Sequence, residues 1–205
     1  MLTLYYAKGS SALASHLLLE EVGAEYAVHE VPIAHGANHE PAYLAVNPKG
    51  RVPALKTPEG VITENPAILN YVAATHPQAE MLPDTPFARA EADALNAYLC
   101  ATVHVAFAHL LRGARWADSA EAQAAMKDKV AANLADCAQV IEDHYLKGPW
   151  ALGDTYTHCD AYLFLVPRWL AKAGVDLSDF PKLEAHHNAL LHRPATLAVM
   201  AIHGI

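Results

Sequence analysis

In the stretch YYAKGSSALASH, residues 5–16, the hydrophobic pattern changes from that of a strand to that of a helix. The segment 2–6, LTLYY, is typical of a short strand. The segment 11–23, SALASHLLLEEVG, places Leu13, Leu17, Leu18 and Val22 on one helical face. The turn between them exposes two hydroxyls, Ser10 and Ser11, and no thiol. A strand that feeds a helix predicts a right-handed crossover to a parallel second strand.

The next sixty residues or so continue this alternation of strands and helices. The pattern predicts a strand at 25–31, a helical turn at 41–48, a hairpin from 52–57 and 60–63, and a helix at 65–77. Asn65 is the expected N-cap of the last helix, and Pro66 follows at its first position. Together these segments predict a small mixed sheet.

Strand signals disappear near residue 80, and the remaining chain is rich in alanine and leucine. We expect helices at 88–114, 119–146, 157–174 and 181–194, and a last one from Pro194. Thr157 and Asp160 have the spacing of a capping box, and Pro167 should kink its helix. The predicted fold class is α/β plus all-α, with domains at 1–77 and 87–205 and a linker at 78–86.

Composition excludes several classes of function. The chain of 205 residues has a net charge of −8, and its 14 basic residues never form a run, which disfavours nucleic acid and anionic membranes as partners. No signal-peptide pattern or apolar run of roughly 18 residues is evident, so we expect a cytoplasmic protein. Three widely spaced cysteines indicate reduced, packed thiols. Thirteen histidines lack the spacing of a metal site, and no metal is expected.

Three motifs carry a family resemblance: NPKGRVPAL at 47–55, ITENPAILNYVA at 62–73 and LGDTYTHCDAYLFLVPRW at 152–169. With the mixed α/β start and the helical remainder, the chain resembles the cytosolic glutathione transferases, most closely their bacterial beta class. The resemblance covers essentially the whole chain. It implies a thioredoxin-like N-terminal domain that binds glutathione, a helical domain that forms the electrophile pocket, and a homodimer.

The resemblance gives the opening turn a chemical role. Ser11 stands where beta-class transferases typically have a cysteine, and a serine cannot form a mixed disulfide with glutathione. This favours a serine-type site, in which the Ser11 hydroxyl donates a hydrogen bond to the glutathione thiolate. Ser10 is the alternative donor if the register is displaced by one residue, and both serines also suit the ordinary role of helix caps.

The resemblance also implies which residues bind the glutathione tripeptide. Val52 and a cis Pro53 would pair with its cysteinyl backbone, although an X-Pro bond is cis only about 5–6% of the time. Glu64 would bind the γ-glutamyl ammonium, and Asn65 with nearby amides would bind the γ-glutamyl carboxylate. Arg51 is a candidate for the glycyl carboxylate, and His35 completes the set of glutathione-binding candidates.

His104 is the candidate from the helical domain, as a hydrogen-bond partner of the thiol or of the leaving group. Ala101 and Val105 stand where the beta class commonly has polar residues, so two polar contacts are missing. Two functions remain open: a transferase that conjugates glutathione to hydrophobic electrophiles, and a glutathione-binding or regulatory protein with little turnover. Glutathione-dependent reduction is disfavoured, because Ser11 is not a thiol.

Overall fold

The computed structural model describes every residue from Met1 to Ile205, in two compact units. The first unit contains Met1–Asp84 together with Leu191–Ile205, and the second contains Thr85–Leu190. The last helix therefore belongs to the first unit, whereas the sequence assigned it to the helical domain. Periodicity identifies a helix but does not identify the surface on which it packs.

Four strands form the sheet of the first unit, in the order β2-β1-β3-β4: β1 (Leu2–Tyr6), β2 (Tyr26–Glu30), β3 (Ala54–Lys56) and β4 (Val61–Thr63). β1 and β2 are parallel, as predicted, and β3 is antiparallel to both of its neighbours. Tyr5 pairs with Ala54, which pairs with Thr63. The end of β1, the start of β3 and the end of β4 therefore meet at one end of the sheet.

Three helices accompany these strands: α1 (Ala12–Glu21), α2 (Pro41–Leu44) and α3 (Asn65–Thr75). α1 packs against β1 and α3, and its residues from Ala12 to Leu19 are all buried. The expectation that Asn65 caps α3 is wrong, because Glu64 occupies the N-cap position and Asn65 is the first helical residue. The Asn65 side chain instead hydrogen-bonds to residues of the α1 segment.

The second unit is all-helical, which confirms the predicted fold class. Its helices are α4 (Pro86–Tyr98), α5 (His104–Arg112), α6 (Ala120–Asp128), α7 (Val130–Val140), α8 (His158–Leu163), α9 (Leu165–Ala173) and α10 (Pro181–Leu191). A π-helical turn, Leu99–Val103, joins α4 to α5, so the predicted helix 88–114 is continuous. The predicted helix 119–146 divides at Lys129, and the predicted helix 157–174 divides at Phe164, shortly before Pro167. The capping box of Thr157 and Asp160 is present.

The segment Pro86–Arg115 is long and apolar enough to cross a membrane by length and composition alone, with a mean hydropathy of 1.4 in its most apolar window. Only 28% of that window is buried. The length of this apolar segment differs from the expectation that no apolar run reaches roughly 18 residues. The alanines of α4 and α5 extend the segment beyond the positions of its leucines.

The chain ends in α11 (Pro194–His203), which packs along α1. The Arg193 guanidinium, just before α11, donates two hydrogen bonds to the Glu21 carboxylate at 2.6 and 2.7 Å. At the other end of α11, His203 is 1% exposed. The last helix thus packs on α1, with Arg193 bound to Glu21 near its start and His203 within hydrogen-bond distance of His16 at its end.

Candidate functional site

The turn that leads into α1 is formed by Ala7 to Ser11 at the end of β1. Gly9 has a φ of 64°, in the left-handed region that favours glycine. The Ser10 hydroxyl donates to the Ala7 carbonyl at 2.7 Å and accepts from the Ala12 N–H at 3.3 Å. The Ser10 hydroxyl proton is therefore used inside the turn, which favours Ser11 over Ser10 as a donor to a ligand.

Ser11 is the N-cap residue of α1, but its hydroxyl makes no capping hydrogen bond. The Ser11 N–H also has no backbone acceptor within the chain. The residue is half-buried, and it lies at the positive end of the helix dipole. Ser11 therefore offers two donors to an anion, the hydroxyl and the main-chain N–H, at the start of a ten-residue helix.

Asn65 holds Ser11 from the side of α3. Its side chain is 5% exposed; Nδ2 donates to the Ser11 carbonyl at 2.9 Å, and Oδ1 accepts from the Ser15 hydroxyl at 2.6 Å. Both ends of the Asn65 amide are thus used within the protein. The Asn65 side chain therefore positions the start of α1. Binding of a ligand carboxylate by this side chain stays a prediction.

Glu64 adopts an unusual backbone conformation beside this contact, with φ of 75° and ψ of 127°. A residue other than glycine rarely adopts such a conformation, and strain of this kind concentrates at functional sites. The exposed Glu64 carboxylate pairs with Lys49, whose ammonium also donates to the Thr63 hydroxyl at 2.7 Å. Sequence reasoning missed Lys49, although it lies inside the motif NPKGRVPAL.

The Val52-Pro53 peptide bond is cis, as the family resemblance implied. The preceding residue is anchored, because the Arg51 carbonyl accepts hydrogen bonds from the Tyr43 hydroxyl and from Asn47 Nδ2, both at 2.6 Å. No backbone hydrogen bond within the chain uses the Val52 N–H or C=O. A fixed segment with unpaired main-chain groups beside a strand is suited to pairing with an extended peptide.

Sheet register brings these segments together. Val52 and Pro53 precede β3, Glu64 follows β4, and the Ser11 turn follows β1, so all three lie at the same end of the sheet. Arg51 and His35 are exposed, and His35 ends the 3₁₀ turn Ile33–His35. Roles for Arg51 and His35 in binding stay predictions.

Two family models match the chain. The N-terminal domain of glutathione S-transferase matches residues 1–74, and the C-terminal domain of glutathione S-transferase matches residues 81–194. The chain belongs to the glutathione S-transferase family.

Individual relatives agree with this assignment. Glutathione S-transferase GST-4.5 of Xanthomonas campestris is 32% identical over 203 residues and covers 98% of both chains. The crystal structure of a Sulfitobacter glutathione transferase homologue with bound glutathione is 38% identical, covers 98% of both chains and has a TM-score of 0.96. A beta-class glutathione S-transferase of Sphingomonas chungbukensis is 29% identical, covers 98% of both chains and has a TM-score of 0.85. The predicted family and its beta-class likeness are confirmed.

A series of buried and partly buried hydrogen bonds lies behind the turn at residues 7–11, and sequence reasoning did not find it. The Gly9 N–H donates to His203 Nδ1 at 3.3 Å, and His203 Nε2 lies 3.0 Å from His16 Nδ1. His16 Nε2 lies 3.1 Å from the Tyr26 hydroxyl, which donates to the Glu20 carboxylate at 2.5 Å. The turn is therefore connected through α11 and α1 to the start of β2.

The remaining candidate, His104, lies in the second unit. Its ring stacks on Trp169 with the centroids 4.8 Å apart, and its Nδ1 is 3.5 Å from the Tyr162 hydroxyl. A role of His104 toward a thiol or a leaving group stays a prediction. No group of three or more His, Cys, Asp or Glu side chains in the structure is arranged to hold a metal ion.

The burial of His16 predicts acid sensitivity. Burial lowers the pKa of His16 to about 4, from 6.5, and the nearby Glu20 opposes this shift only in part. The unfolded chain therefore binds a proton below about pH 6.5 that the folded chain does not bind until about pH 4. Stability is fully present above pH 6.5 and is lost as the pH falls, by on the order of 3 kcal/mol at pH 4. His187 of the second unit adds a similar loss, because burial also lowers its pKa to about 4.

Urea unfolding of the wild type and of His16→Gln at about pH 7 and about pH 4.5 isolates the contribution of His16. Glutamine does not titrate, so the wild type should lose about 2–3 kcal/mol more than the variant over this range. Equal losses would show that folding leaves the pKa of His16 unchanged and would contradict the lowered value.

Proposed function

We propose that this chain conjugates the glutathione thiolate to hydrophobic electrophiles at a serine-type site, with Ser11 as the donor to the thiolate. The observation that carries the proposal is the pair of unused donors on Ser11, at the start of α1. A free thiol has a pKa of about 8.5, and lowering it by two units requires roughly 2.7 kcal/mol of preferential interaction with the anion. A helix N-terminus and one charge-assisted hydrogen bond together have about that magnitude.

The same end of the sheet provides contacts for the tripeptide. The main chain of Val52 pairs with the cysteinyl backbone, and Glu64 accepts from the γ-glutamyl ammonium. Glu64 forms an ion pair with Lys49, so this end of the sheet presents one positive and one negative charge to a ligand that carries both signs. Arg51 and His35 are candidates for the glycyl carboxylate. The structure of the Sulfitobacter homologue contains bound glutathione, which supports glutathione as the ligand.

The Glu64 contact is tested by calorimetric titration of glutathione into the wild type, Glu64→Ala and the matched control Glu25→Ala. Glu25 is an exposed glutamate beside β2, away from the start of α3. Loss of a charged hydrogen bond should raise the dissociation constant of Glu64→Ala roughly 10- to 150-fold, whereas Glu25→Ala should bind as the wild type does. An unchanged dissociation constant in Glu64→Ala would remove Glu64 from the site.

Binding alone does not distinguish a transferase from a glutathione-binding protein with a regulatory role. The wild type is therefore also assayed for conjugation of glutathione to an activated aryl halide. Turnover supports the transferase proposal, and tight binding without turnover would select the regulatory alternative. The electrophile itself stays open, because pockets of this kind recognise mainly apolar shape. Free cysteines and an acidic net charge favour action in the cytoplasm.

Ser11→Ala should raise the pKa of bound glutathione toward its free value and lower turnover near neutral pH, with little change in affinity. The physical reason is that the lost hydrogen bond favours the thiolate over the thiol. The thiol pKa is measured by the ultraviolet absorbance of the thiolate, with Ser10→Ala as the matched hydroxyl deletion. If Ser10→Ala rather than Ser11→Ala raised the pKa, the donor would be Ser10. Ser11→Cys should in addition form a mixed disulfide with glutathione, detectable by mass.

A homodimer is the second part of the proposal, and α4 and α5 carry it. One face of this helical segment is buried in its own unit, whereas the opposite face exposes small apolar residues at helical spacing: Ala90, Ala94, Ala97, Ala101 and Val105. An uncovered apolar face of this kind favours close packing against the same helix of a second copy.

Sedimentation equilibrium at micromolar concentration measures the oligomeric state directly. We expect a species of twice the chain mass of 22.1 kDa, because packing two copies removes the apolar face from water. A stable monomer of 22.1 kDa would contradict the dimer.

A further inference from the structure

The turn before α1 has only two hydrogen bonds that reach it from distant parts of the sequence. Asn65 binds the Ser11 carbonyl from α3, and His203 binds the Gly9 N–H from the end of α11. The hydrogen bonds of Ser10 are local to the turn. Two buried side chains, one at each end of the segment Gly9–Ser11, therefore set where this segment lies.

The positions of the protons in the hydrogen-bond series from Gly9 to Glu20 follow from its two fixed donors, the Gly9 N–H and the Tyr26 hydroxyl. His203 Nδ1 accepts from the Gly9 N–H, so in the neutral ring the proton lies on Nε2 and is donated to His16 Nδ1. The His16 proton then lies on Nε2 and is donated to the Tyr26 oxygen, and the Tyr26 hydroxyl donates to Glu20. Only this arrangement of neutral rings satisfies all four contacts.

Every hydrogen bond in the series points the same way, from the turn toward the Glu20 carboxylate. Hydrogen bonds aligned in this manner polarise one another, and the carboxylate at the end makes each acceptor before it stronger. Burial and the hydrogen bond to Glu20 raise the pKa of Tyr26 well above its ordinary range, so Tyr26 keeps its proton. His203 is therefore held in one tautomer, with Nδ1 as a permanent acceptor for Gly9.

We propose that His203 is a positioning residue for the glutathione thiolate. By binding the Gly9 N–H, it fixes the left-handed turn and so determines where the Ser11 hydroxyl and N–H lie. The proposal rests on the proposed function, in which Ser11 binds the thiolate. Gly9 has no side chain, so His203 holds this residue through its main-chain N–H. A displacement at Gly9 moves Ser11, which is two residues away, and shortens or lengthens a directional hydrogen bond to the sulfur.

A purely structural role of His203, as a clamp between α11 and α1, is the competing explanation. The chain supplies a matched control for it, because Arg193 joins the other end of α11 to Glu21 on α1 without touching the turn. Arg193→Gln should lower the thermal midpoint and leave the pKa of the bound thiol unchanged.

Three variants separate the two contacts of His203. His203→Ala removes both contacts. His203→Asn keeps an oxygen at the position of Nδ1, where it can accept a hydrogen bond from the Gly9 N–H. His203→Gln instead keeps a polar atom at the position of Nε2, where it can contact His16 but not Gly9. We expect His203→Ala and His203→Gln to raise the pKa of bound glutathione and to lower kcat below that pKa roughly threefold to tenfold, the effect of one hydrogen bond. His203→Asn should recover most of this loss, although its thermal midpoint falls with that of the other variants.

Equal thiol pKa values in the wild type and His203→Gln, with reduced thermal midpoints in all three variants, would show a clamp only and overturn the proposal. If the variants fail to fold, the ¹⁵N shifts of the wild-type histidines still decide, because a proton on Nδ1 of His203 would exclude the Gly9 contact.

Amide exchange separates failure of this proposal from failure of the proposed function. Without glutathione, exchange at Gly9 and Ser11 should be faster in His203→Gln than in His203→Asn. That result together with absent thiolate formation in the wild type would refute the proposed function and, with it, the thiolate role of His203. Equal exchange in the two variants would refute the positioning itself.

Discussion

The hydrogen bonds that hold the start of α1 are the constraint on which the candidate site depends. Asn65 binds the Ser11 carbonyl and His203 binds the Gly9 N–H, and neither side chain uses the Ser11 hydroxyl or amide. Loops at the end of a sheet are ordinarily among the more mobile parts of a domain. Here the anchors are 5% and 1% exposed, so the donors of Ser11 are aimed by a rigid interior.

In the proposed function, recognition of the tripeptide and stabilisation of its sulfur use different physical interactions. The sheet end supplies unpaired main-chain groups at Val52 and a pair of opposite charges at Lys49 and Glu64. The helix end supplies neutral donors, and the chain of rings behind it is uncharged up to Glu20. In the proposed function, such a site stabilises the thiolate without a buried cation, whose desolvation would cost several kcal/mol. The left-handed backbone conformation of Glu64 is consistent with the proposed function, since backbone strain of this kind concentrates at functional sites.

Local sequence patterns predicted the helices and strands. The features that these patterns did not predict depend on contacts between residues far apart in the sequence. The strand-to-helix change at residues 5–16, the hairpin and the capping box are signals within a few residues, so the sequence predicts them. The backbone of Glu64 and the side-chain direction of Asn65 depend on the packing of α3 against α1. The pairing of Gly9 with His203 spans 194 positions, and no periodicity connects residues so far apart. The resemblance to beta-class transferases supplied what pattern could not, including the cis bond before Pro53.

In the proposed function, glutathione occupies the end of the sheet, with its cysteinyl backbone on Val52 and its sulfur at Ser11. Residue-resolved amide hydrogen exchange with and without saturating glutathione tests this claim most directly. The Val52 N–H has no acceptor in the chain, so bound glutathione should slow its exchange by roughly tenfold or more, together with that of Ser11. Saturating binding that leaves both amides at their original exchange rates would contradict the account.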